Sequence, residues 1–498
     1  MTLLSPRRQG VPVLSELLLL NRGKVRDLYN LGNDRLLMVA TDGISIFDFV
    51  LNALIPQKGR ILTALSHFWL KHLENHGIPT HLIAAGAAID EYLPAALRND
   101  PDLQSRSMVV RRLEMRPIEF VVRGFLTGSG LKSYRKTQTV CGHRLPQGLE
   151  DGDELPRVLD TPTTKAAAGH DEALDAAMVR MQYPEESYWA MAIYEIIARY
   201  AWARGIIFAD TKLEFGVDGK GVMRLGDEVG TGDSSRWWSE RAWRETRKKD
   251  PRKAPHPFDK QLARALGIEE GIDKLDPAIP EHVALVHQRD PGLPEDLIAA
   301  TTHTYRYIFW RLTGYTLEQY LMKEGCITES RPRIKVALIL GSESDIPFVQ
   351  SAIKKYPFPG SGSRIGAIAL HIMSCHRNPL ELYQFVCSER CHGVDAIIAA
   401  GGKAFALPGV IDALVYASGQ RVPVIGVALG DPGTEALEAA KLSIKQLPGQ
   451  PVMMDEIRGE VYAGEKGLQA ALERLDIGEL PPPSRREEKL ARFNVTVK

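Results

Sequence analysis

The chain has 498 residues, 62 basic and 62 acidic side chains, and a hydrophobic fraction of 44%, enough for two or three globular domains and no electrostatic reason for a nucleic-acid or membrane-surface partner. Five cysteines, Cys141, Cys326, Cys375, Cys387 and Cys391, form neither a CxxC pair nor an even disulfide set, so a reducing, cytoplasmic setting is expected. No apolar run reaches membrane-spanning length, and Leu17 to Leu20, flanked by Glu16 and Arg22, is too short for a signal peptide.

After a frayed start, Gly23-Lys24-Val25-Arg26-Asp27-Leu28-Tyr29 reads as a strand, turned at Gly32-Asn33-Asp34 into a second from Leu36 to Ala40. Lys24 and Arg26 are two apart and share a face, as an exposed basic edge or as a cover over phosphates. In the stretch from Ala40 to Asp48, polar residues lie among Ile44, Ile46 and Phe47, which suits substrate contacts or an Asx turn closing a strand. Apolar residues recur at helical spacing from Arg60 to Leu73, so an amphipathic helix is expected there with His67 and His72 toward solvent.

An apolar strand around Phe120 to Val122 runs into Arg123-Gly124-Phe125-Leu126-Thr127-Gly128-Ser129-Gly130. Its glycines make a flexible turn or let backbone N–H groups approach an anion. Thr161-Pro162-Thr163-Thr164-Lys165 and His170-Asp171-Glu172 are poor in apolar residues, as in a loop that closes over ligand. Ser187 to Arg204 is apolar nearly all round and stops at Gly205, which predicts a buried helix.

The helix feeds the stretch on which the chain is centred. Ile206 to Val217 and Val222 to Val229 read as strands joined at Asp218-Gly219. Alternation puts Asp210, Lys212 and Glu214 on one side, and a two- or four-residue loop brings Asp227 to the same face. Carboxylates side by side repel, so this face either is a solvated surface or holds a cation such as Mg²⁺ with nucleotide phosphates. The apolar flanks and the following Asp233-Ser234-Ser235-Arg236, with hydroxyls and a guanidinium fork suited to an anion, favour the second reading.

Beyond Trp238 the basic run Arg244 to Lys253 reads as solvated loop, Phe258-Asp259-Lys260-Gln261 opens a helix, and Glu295 to Tyr320 closes the domain as another. A polar connection, Glu324 to Arg333, leads to a segment of different character. Apolar runs at Ile334 to Leu340, Ile365 to Ile372, Asp395 to Ala399 and Val422 to Val427, separated by helical stretches, predict a doubly wound parallel sheet. Ligands of such sheets bind in the loops at the carboxyl ends of the strands.

DTKLEFG, GDE and DSSRWW, with GKVRD, ATDGISIFD, VRGFLTGS and TPTTK in order before them, resemble the SAICAR synthetase family of purine biosynthesis from about Gly23 to about Tyr320. Gly43 departs from that pattern, standing where many relatives carry arginine. The resemblance implies a two-lobed α+β ATP-binding domain with antiparallel sheets. It implies ATP and Mg²⁺ as cofactors, with ATP held by Gly23, Lys24, Arg26, Lys212, Glu214 and Asp227 and the metal on Glu214 and Asp227. Lys212 is then catalytic through its charge. Substrate contacts are implied for Asp42, Ser45, Asp48, Arg123, Ser129, Lys165, Asp233, Ser234, Ser235 and Arg236.

In the later segment GSESD, SCHRNP and GGKAFALPG resemble the aminoimidazole ribonucleotide (AIR) carboxylase family over Lys335 to about Asp476. That resemblance implies an α/β doubly wound, flavodoxin-like domain with His376 as proton shuttle and Ser342, Ser344, Asp345, Ser374, Arg377, Gly401 and Gly402 as ribotide contacts. Cys375 replaces the usual alanine, and the third motif has an extra residue and Ala406 where relatives place histidine, for which Lys403 is the available substitute. The arginine of CHRNP leans toward the bacterial isomerase style, whereas the domain order resembles the animal bifunctional enzyme.

The expected organisation is a ligase domain over 1–323, a linker over 324–333, a carboxylase-like domain over 334–476 and a tail over 477–498. The expected small-molecule partners are AIR or its N-carboxy isomer (N5-CAIR), carboxyaminoimidazole ribonucleotide (CAIR), aspartate and carbon dioxide, with a homo-oligomer implied by the second resemblance. Two other readings remain open at this point. The C-terminal domain is a non-catalytic assembly module, or the N-terminal domain ligates a different amine or carboxylate.

Overall fold

The computed structural model describes residues 14–165, 172–255, 257–258, 261–289, 293–327, 333–356, 363–387, 393–403, 405–418, 422–446, 455, 460–477 and 480. His170, Asp171, Asp259, Lys260, Cys391, Ala404, residues 328–332 of the expected linker and residues 481–498 of the expected tail lie outside them. The chain divides into two compact units, Met1–Arg331 and Pro332–Lys498. Glu324 belongs to the first, where its carbonyl accepts the Ala87 N–H at 2.9 Å.

The described residues of the first unit hold two large sheets and two two-stranded ribbons. One has five strands in the order β1-β2-β3-β7-β6: β1 (Leu18–Arg22), β2 (Arg26–Gly32), β3 (Arg35–Ala40), β6 (Leu82–Ala85) and β7 (Ser107–Arg111). The turn expected between β2 and β3 is there, with Asn33 and Asp34 at φ 49° and 54°, the left-handed pair of a type I′ hairpin. The apolar run at Leu17 to Leu20 is mostly β1, a strand that the sequence did not announce. It packs beside β2 through Leu19↔Tyr29. The hairpin β4 (Gly43–Ile46) and β5 (Phe49–Leu54) and the helices α1 (Lys58–Glu74) and α2 (Pro101–Arg106) complete this part.

The other sheet has seven strands: β8 (Glu114–Met115), β9 (Ile118–Leu126), β12 (Asp153–Asp160), β13 (Thr163–Thr164), β14 (Ile206–Val217), β15 (Met223–Gly226) and β16 (Ser235–Ser239). A two-stranded ribbon, β10 (Thr139–Val140) with β11 (His143–Arg144), lies apart from it. β14 is its spine, pairing antiparallel with β8, β9, β15 and β16 along its twelve residues. The β14–β15 register sets Glu214 opposite Gly226 and Val217 opposite Met223, so the loop is longer than two residues. Asp218 shapes it, its Oδ1 accepting the N–H of Lys220 at 2.9 Å and of Val222 at 3.0 Å, an Asx turn. β15 then ends at Gly226, and Asp227 leaves the ladder at φ 52°.

Helices α3 (Gly128–Thr137), α4 (Ala176–Gln182), α5 (Pro184–Trp202), α6 (Glu240–Lys249), α7 (Gln261–Glu269), α8 (Pro280–Arg289), α9 (Glu295–Thr313) and α10 (Leu317–Lys323) surround the sheets. Three expectations change. α5 buries one face, leaving Tyr188 and Trp202 exposed. The basic run lies in large part in the polar helix α6, where Arg244 pairs with Glu240 at i,i+4. The last helical stretch breaks into α9 and α10 at Gly314, φ 76°, and Thr316 caps α10 with a full capping box.

His67 and His72 do not face solvent as expected. His67 Nδ1 lies 3.0 Å from the Tyr320 hydroxyl and burial lowers its pKa to about 4. His72 packs against Tyr200 and Phe68. Aromatic stacking joins α1 to the second sheet, with Trp69 stacked on Trp237 at 6.2 Å and Trp237 on Phe208 at 4.3 Å.

The second unit is one five-stranded parallel sheet in the order β18-β17-β19-β20-β21: β17 (Ile334–Leu340), β18 (Ile365–Ile372), β19 (Ala396–Gly401), β20 (Val424–Ala428) and β21 (Tyr462–Ala463). Helices α11 (Ile346–Lys355), α12 (Pro379–Cys387), α13 (Leu407–Ala417), α14 (Glu435–Lys445) and α15 (Gly464–Ile477) provide the crossovers and layers. Separate apolar clusters lie on its two faces, as in a doubly wound sheet.

Gly230 sits at φ 62°, and a Cβ there would come within 2.5 Å of Trp69 Cδ1. Gly230→Ala therefore combines a left-handed backbone with overpacking of a fully buried indole, and should lower first-unit stability by about 2–4 kcal/mol, read as the shift of its urea transition.

Candidate active sites

β14 carries two charge clusters rather than the single one expected. Toward its C-terminal end, Lys212 Nζ donates to Glu119 Oε1 at 2.6 Å and to Glu214 Oε1 at 3.4 Å, and Lys165 Nζ donates to Glu214 Oε2. Glu119 comes from β9, which runs beside β14 with Lys212 opposite Val121. Burial by itself would depress the Lys212 ammonium, but Glu119 and Glu214 outweigh it and hold the group charged, well above its ordinary value. Lys212 is thus a fixed cation and no proton acceptor near neutrality.

Asp227 belongs to this cluster. Burial, then the Glu214 carboxylate, raise its carboxyl above the ordinary value, against the opposing Arg26, Lys212 and Lys165. Among the described residues, no donor is within hydrogen-bonding range of the Asp227 carboxylate. No group of three His, Cys, Asp or Glu at metal spacing occurs among them. Two hard carboxylates, one of them unbonded, fit an ion that fills its shell with water and phosphate oxygens, as magnesium does.

Lys24 and Arg26 do not share a strand face. Lys24 lies in the tight bend between β1 and β2, where the Gly23 N–H donates to Arg26 O at 2.7 Å, and its ammonium reaches Asp48 at 2.6 Å. Arg26 opens β2 and pairs with Glu228, which also accepts the Thr231 hydroxyl.

Asp210, expected beside Glu214 and Asp227, instead accepts from two arginines on its flanking strands, Arg123 Nη1 at 2.7 Å and Arg236 Nη1 at 3.0 Å. Beyond it opens a cavity of about 410 Å³ lined by Ser45, Asp48, Ser129 and Arg236, all expected, and by Lys132 and Arg264, which the sequence did not single out. Their signal was faint: Lys132 is one helical turn beyond Gly128, and Arg264 lies on α7 among apolar residues. Phe47 and Asp48, at φ 47° and 69°, form the tight turn that points the β4–β5 hairpin at this cavity. The α3 N-terminus also faces it, since Thr127 makes no side-chain cap and Gly128 and Ser129 line the wall.

Other expected contacts serve the frame. Asp42 Oδ1 accepts the Gly59 N–H at 2.8 Å at the start of α1. Asp233 is held by the fully buried Lys58 at 2.6 Å and by the Tyr305 hydroxyl at 2.6 Å. Ser234 and Ser235 are buried, with Ser235 Oγ 2.8 Å from Thr211 Oγ1.

In the second unit the expected loops converge at the carboxyl ends of β17, β18 and β19 on a cavity of about 520 Å³. Ser342, Ser344, Asp345, Ser374, His376, Arg377, Gly401 and Gly402 all line it. Ser374 Oγ accepts the backbone N–H of His376 and of Arg377, both at 3.3 Å. Arg377 Nη2 donates to Gly341 O at 2.8 Å. Burial raises the Asp345 carboxyl against the pull of Arg377. Cys375 Sγ lies 3.4 Å from His376 Nδ1. In the altered loop Phe405 turns inward against Gly401 and Lys403 lines the cavity at φ 61°.

Residues 19–277 match the family model described as SAICAR synthetase, and residues 335–472 match that of AIR carboxylase. The chain is 45% identical over 316 residues to the phosphoribosylaminoimidazole-succinocarboxamide synthase of Thioalkalivibrio sulfidiphilus, covering 60% of this chain and 96% of that protein. It is 42% identical over 307 residues to the synthase of that name from Methylococcus capsulatus, again covering 60% and 96%. Among solved structures, the SAICAR synthase of Saccharomyces cerevisiae complexed with SAICAR aligns with a TM-score of 0.52 at 34% identity, over 62% of this chain and 98% of that one.

Because the Asp227 carboxyl is raised in the fold, its contribution to stability is favourable below the unfolded-state value and is lost as pH rises through the folded-state value. At neutral pH the ionised group therefore opposes folding. Asp227→Asn should raise the thermal midpoint of the ligand-free first unit at pH 7 and narrow the difference near pH 4, read by thermal melts at the two pH values.

Proposed function

Taking as premise that the chain belongs to the SAICAR synthetase family, we propose that its first unit binds ATP and magnesium on the Lys212–Glu214–Asp227 side of β14 and CAIR in the cavity beyond Asp210. The chain is a bifunctional purine-biosynthesis enzyme. Its first unit joins aspartate to CAIR, and its second, carrying the AIR carboxylase match, forms CAIR. The observation that carries the ligase reading is the pairing on one strand of a metal-type carboxylate cluster with an anion cavity.

A carboxylate resists attack by an amine, so it must first be activated. ATP supplies the phosphoryl group for that activation. The rest falls to the chain's own residues. Glu214 and Asp227 would hold the metal, while Lys212 and Lys165 lie beside them as positive charge where negative charge would move to the leaving oxygens. Ser129, Lys132, Arg236, Arg264 and the α3 N-terminus hold the ribotide phosphate and orient the carboxylate, a positioning effect. Asp42, Asp233, Ser234 and Ser235 support these groups from behind.

In the second unit the nucleophilic ring carbon of the aminoimidazole forms a bond to carbon dioxide and releases its proton to His376. Ser342, Ser344, Ser374, Arg377 and the Gly401-Gly402 backbone bind the ribotide. The complete cavity does not favour the reading of this unit as a non-catalytic module. Homo-oligomerisation is proposed through β18, an edge strand whose Leu370 and Ile372 are exposed on a face where a parallel sheet is normally covered. The unpaired thiols Cys141, Cys326, Cys375 and Cys387 fit a cytoplasmic site of action.

Glu214→Gln should reduce ligation of aspartate to CAIR by about 100-fold or more while carboxylation continues at the parent rate. His376→Asn should do the reverse. Parent-level ligation in Glu214→Gln refutes the metal site, and parent-level carboxylation in His376→Asn refutes the shuttle. Supplying AIR with bicarbonate, or N5-CAIR alone, identifies which carboxyl donor the second unit uses.

A further inference from the structure

Arg123, expected to touch substrate, is absent from the wall of the first-unit cavity, whereas Ser129 and Arg236 line it. All three bonding faces of the Arg123 guanidinium are committed within the protein: Nε to Thr161 Oγ1 at 2.9 Å, Nη1 to Asp210 Oδ2 at 2.7 Å and Nη2 to Ser129 Oγ at 2.9 Å. The same Oδ2 accepts from Arg236 Nη1 at 3.0 Å. The strand registers make this a single row, with Asp210 opposite Arg123 on β9 and opposite Arg236 on β16.

We propose that Asp210 is a positioning residue that sets the anion site of the ligase cavity by fixing Arg236 directly and Ser129 through Arg123. This deepens, and rests on, the assignment of that cavity to the anionic ribotide. The chemistry follows from who donates. Arg123 Nη2–H occupies a lone pair of Ser129 Oγ, so the serine turns its own O–H outward as a donor to the cavity. Asp210 shares one oxygen between two guanidinium groups that would otherwise repel. Burial and Arg236 both lower the Arg123 pKa, while Asp210 opposes them. Glycines let the row close. A Cβ at Gly128 would lie 3.0 Å from Arg236 Nη1 and Nη2, and one at Gly130 would lie 3.3 Å from Arg123 Nε.

Two effects of removing Asp210 have opposite signs. Loss of a negative charge near the cavity tightens anion binding, and loss of the clamp weakens it; the inference is that the clamp dominates. No described group bonds Asp210 Oδ1, so an asparagine has room for its amide nitrogen while its oxygen accepts both arginines. In the full chain, Asp210→Ala should raise the KM for CAIR about tenfold or more and Asp210→Asn by about threefold, with the KM for ATP little changed in either.

Titration with inorganic phosphate should give the same order of loss. Tighter phosphate binding in both variants, an unchanged CAIR KM in Asp210→Ala, or an equal rise in both KM values would each overturn the inference. An unchanged CAIR KM in an active ligase leaves the ligase reading standing. A parent chain without ligase activity would instead sink that reading, and the phosphate titration alone would then decide the role of Asp210.

Discussion

The first unit depends on how β14 balances charge that it cannot expose. Partly buried carboxylates and cations each lose hydration, and a pair recovers this only with good geometry and few unmatched partners. Glu119, Glu214, Lys212 and Lys165 achieve it as an alternating chain of acid and base. Asp227 is the group the chain does not match, left at a left-handed residue just past the end of β15. A surplus of negative charge held rigidly beside lysines is poor for stability and well suited to a metal that arrives with phosphates.

The same strand does the converse four residues earlier. Strand geometry separates Asp210 from Glu214 by about 13 Å, and at Asp210 the surplus is cationic, with two arginines on one carboxylate. One strand thus spaces the proposed site for a metal-bound nucleotide from the proposed site for an acidic ribotide. Buried Lys58 and Tyr305 hold Asp233 and with it the end of the loop after β15 that leads into Arg236.

Period and turn chemistry made the strands legible. β14, β17 and β18 fall where the sequence runs place them, because each is rich in apolar and β-compatible residues and is bounded by turn or polar segments. Loop length was not legible. Asp218-Gly219 suggests a loop of two or four residues, but the Asp218 side chain captures Lys220 and Val222 and the ladder closes only at Val217 and Met223, while Asp210 lies beyond β15, between Arg123 of β9 and Arg236 of β16. Glu119, Lys132 and Arg264 carried no local signal, since what makes them part of a site is a neighbour remote in sequence. His67 and His72 were misplaced for a similar reason: the face of α1 they occupy is covered by Tyr320 and Tyr200, which no pattern within the helix reveals.

The second unit shows why its site was legible almost residue for residue. In a doubly wound sheet every crossover returns a loop to the same edge, so motifs far apart in sequence must meet at the carboxyl ends of adjacent strands. Here the β17 and β19 loops are neighbours in the order β18-β17-β19, and the β18 loop brings His376 beside them. The altered third loop tests whether this convergence survives. Its extra residue is absorbed locally: Phe405 folds onto Gly401, the Phe405 N–H is met by Ser443 Oγ at 3.1 Å, and α13 still begins at Leu407. The cavity therefore keeps its polar wall while one histidine position becomes apolar.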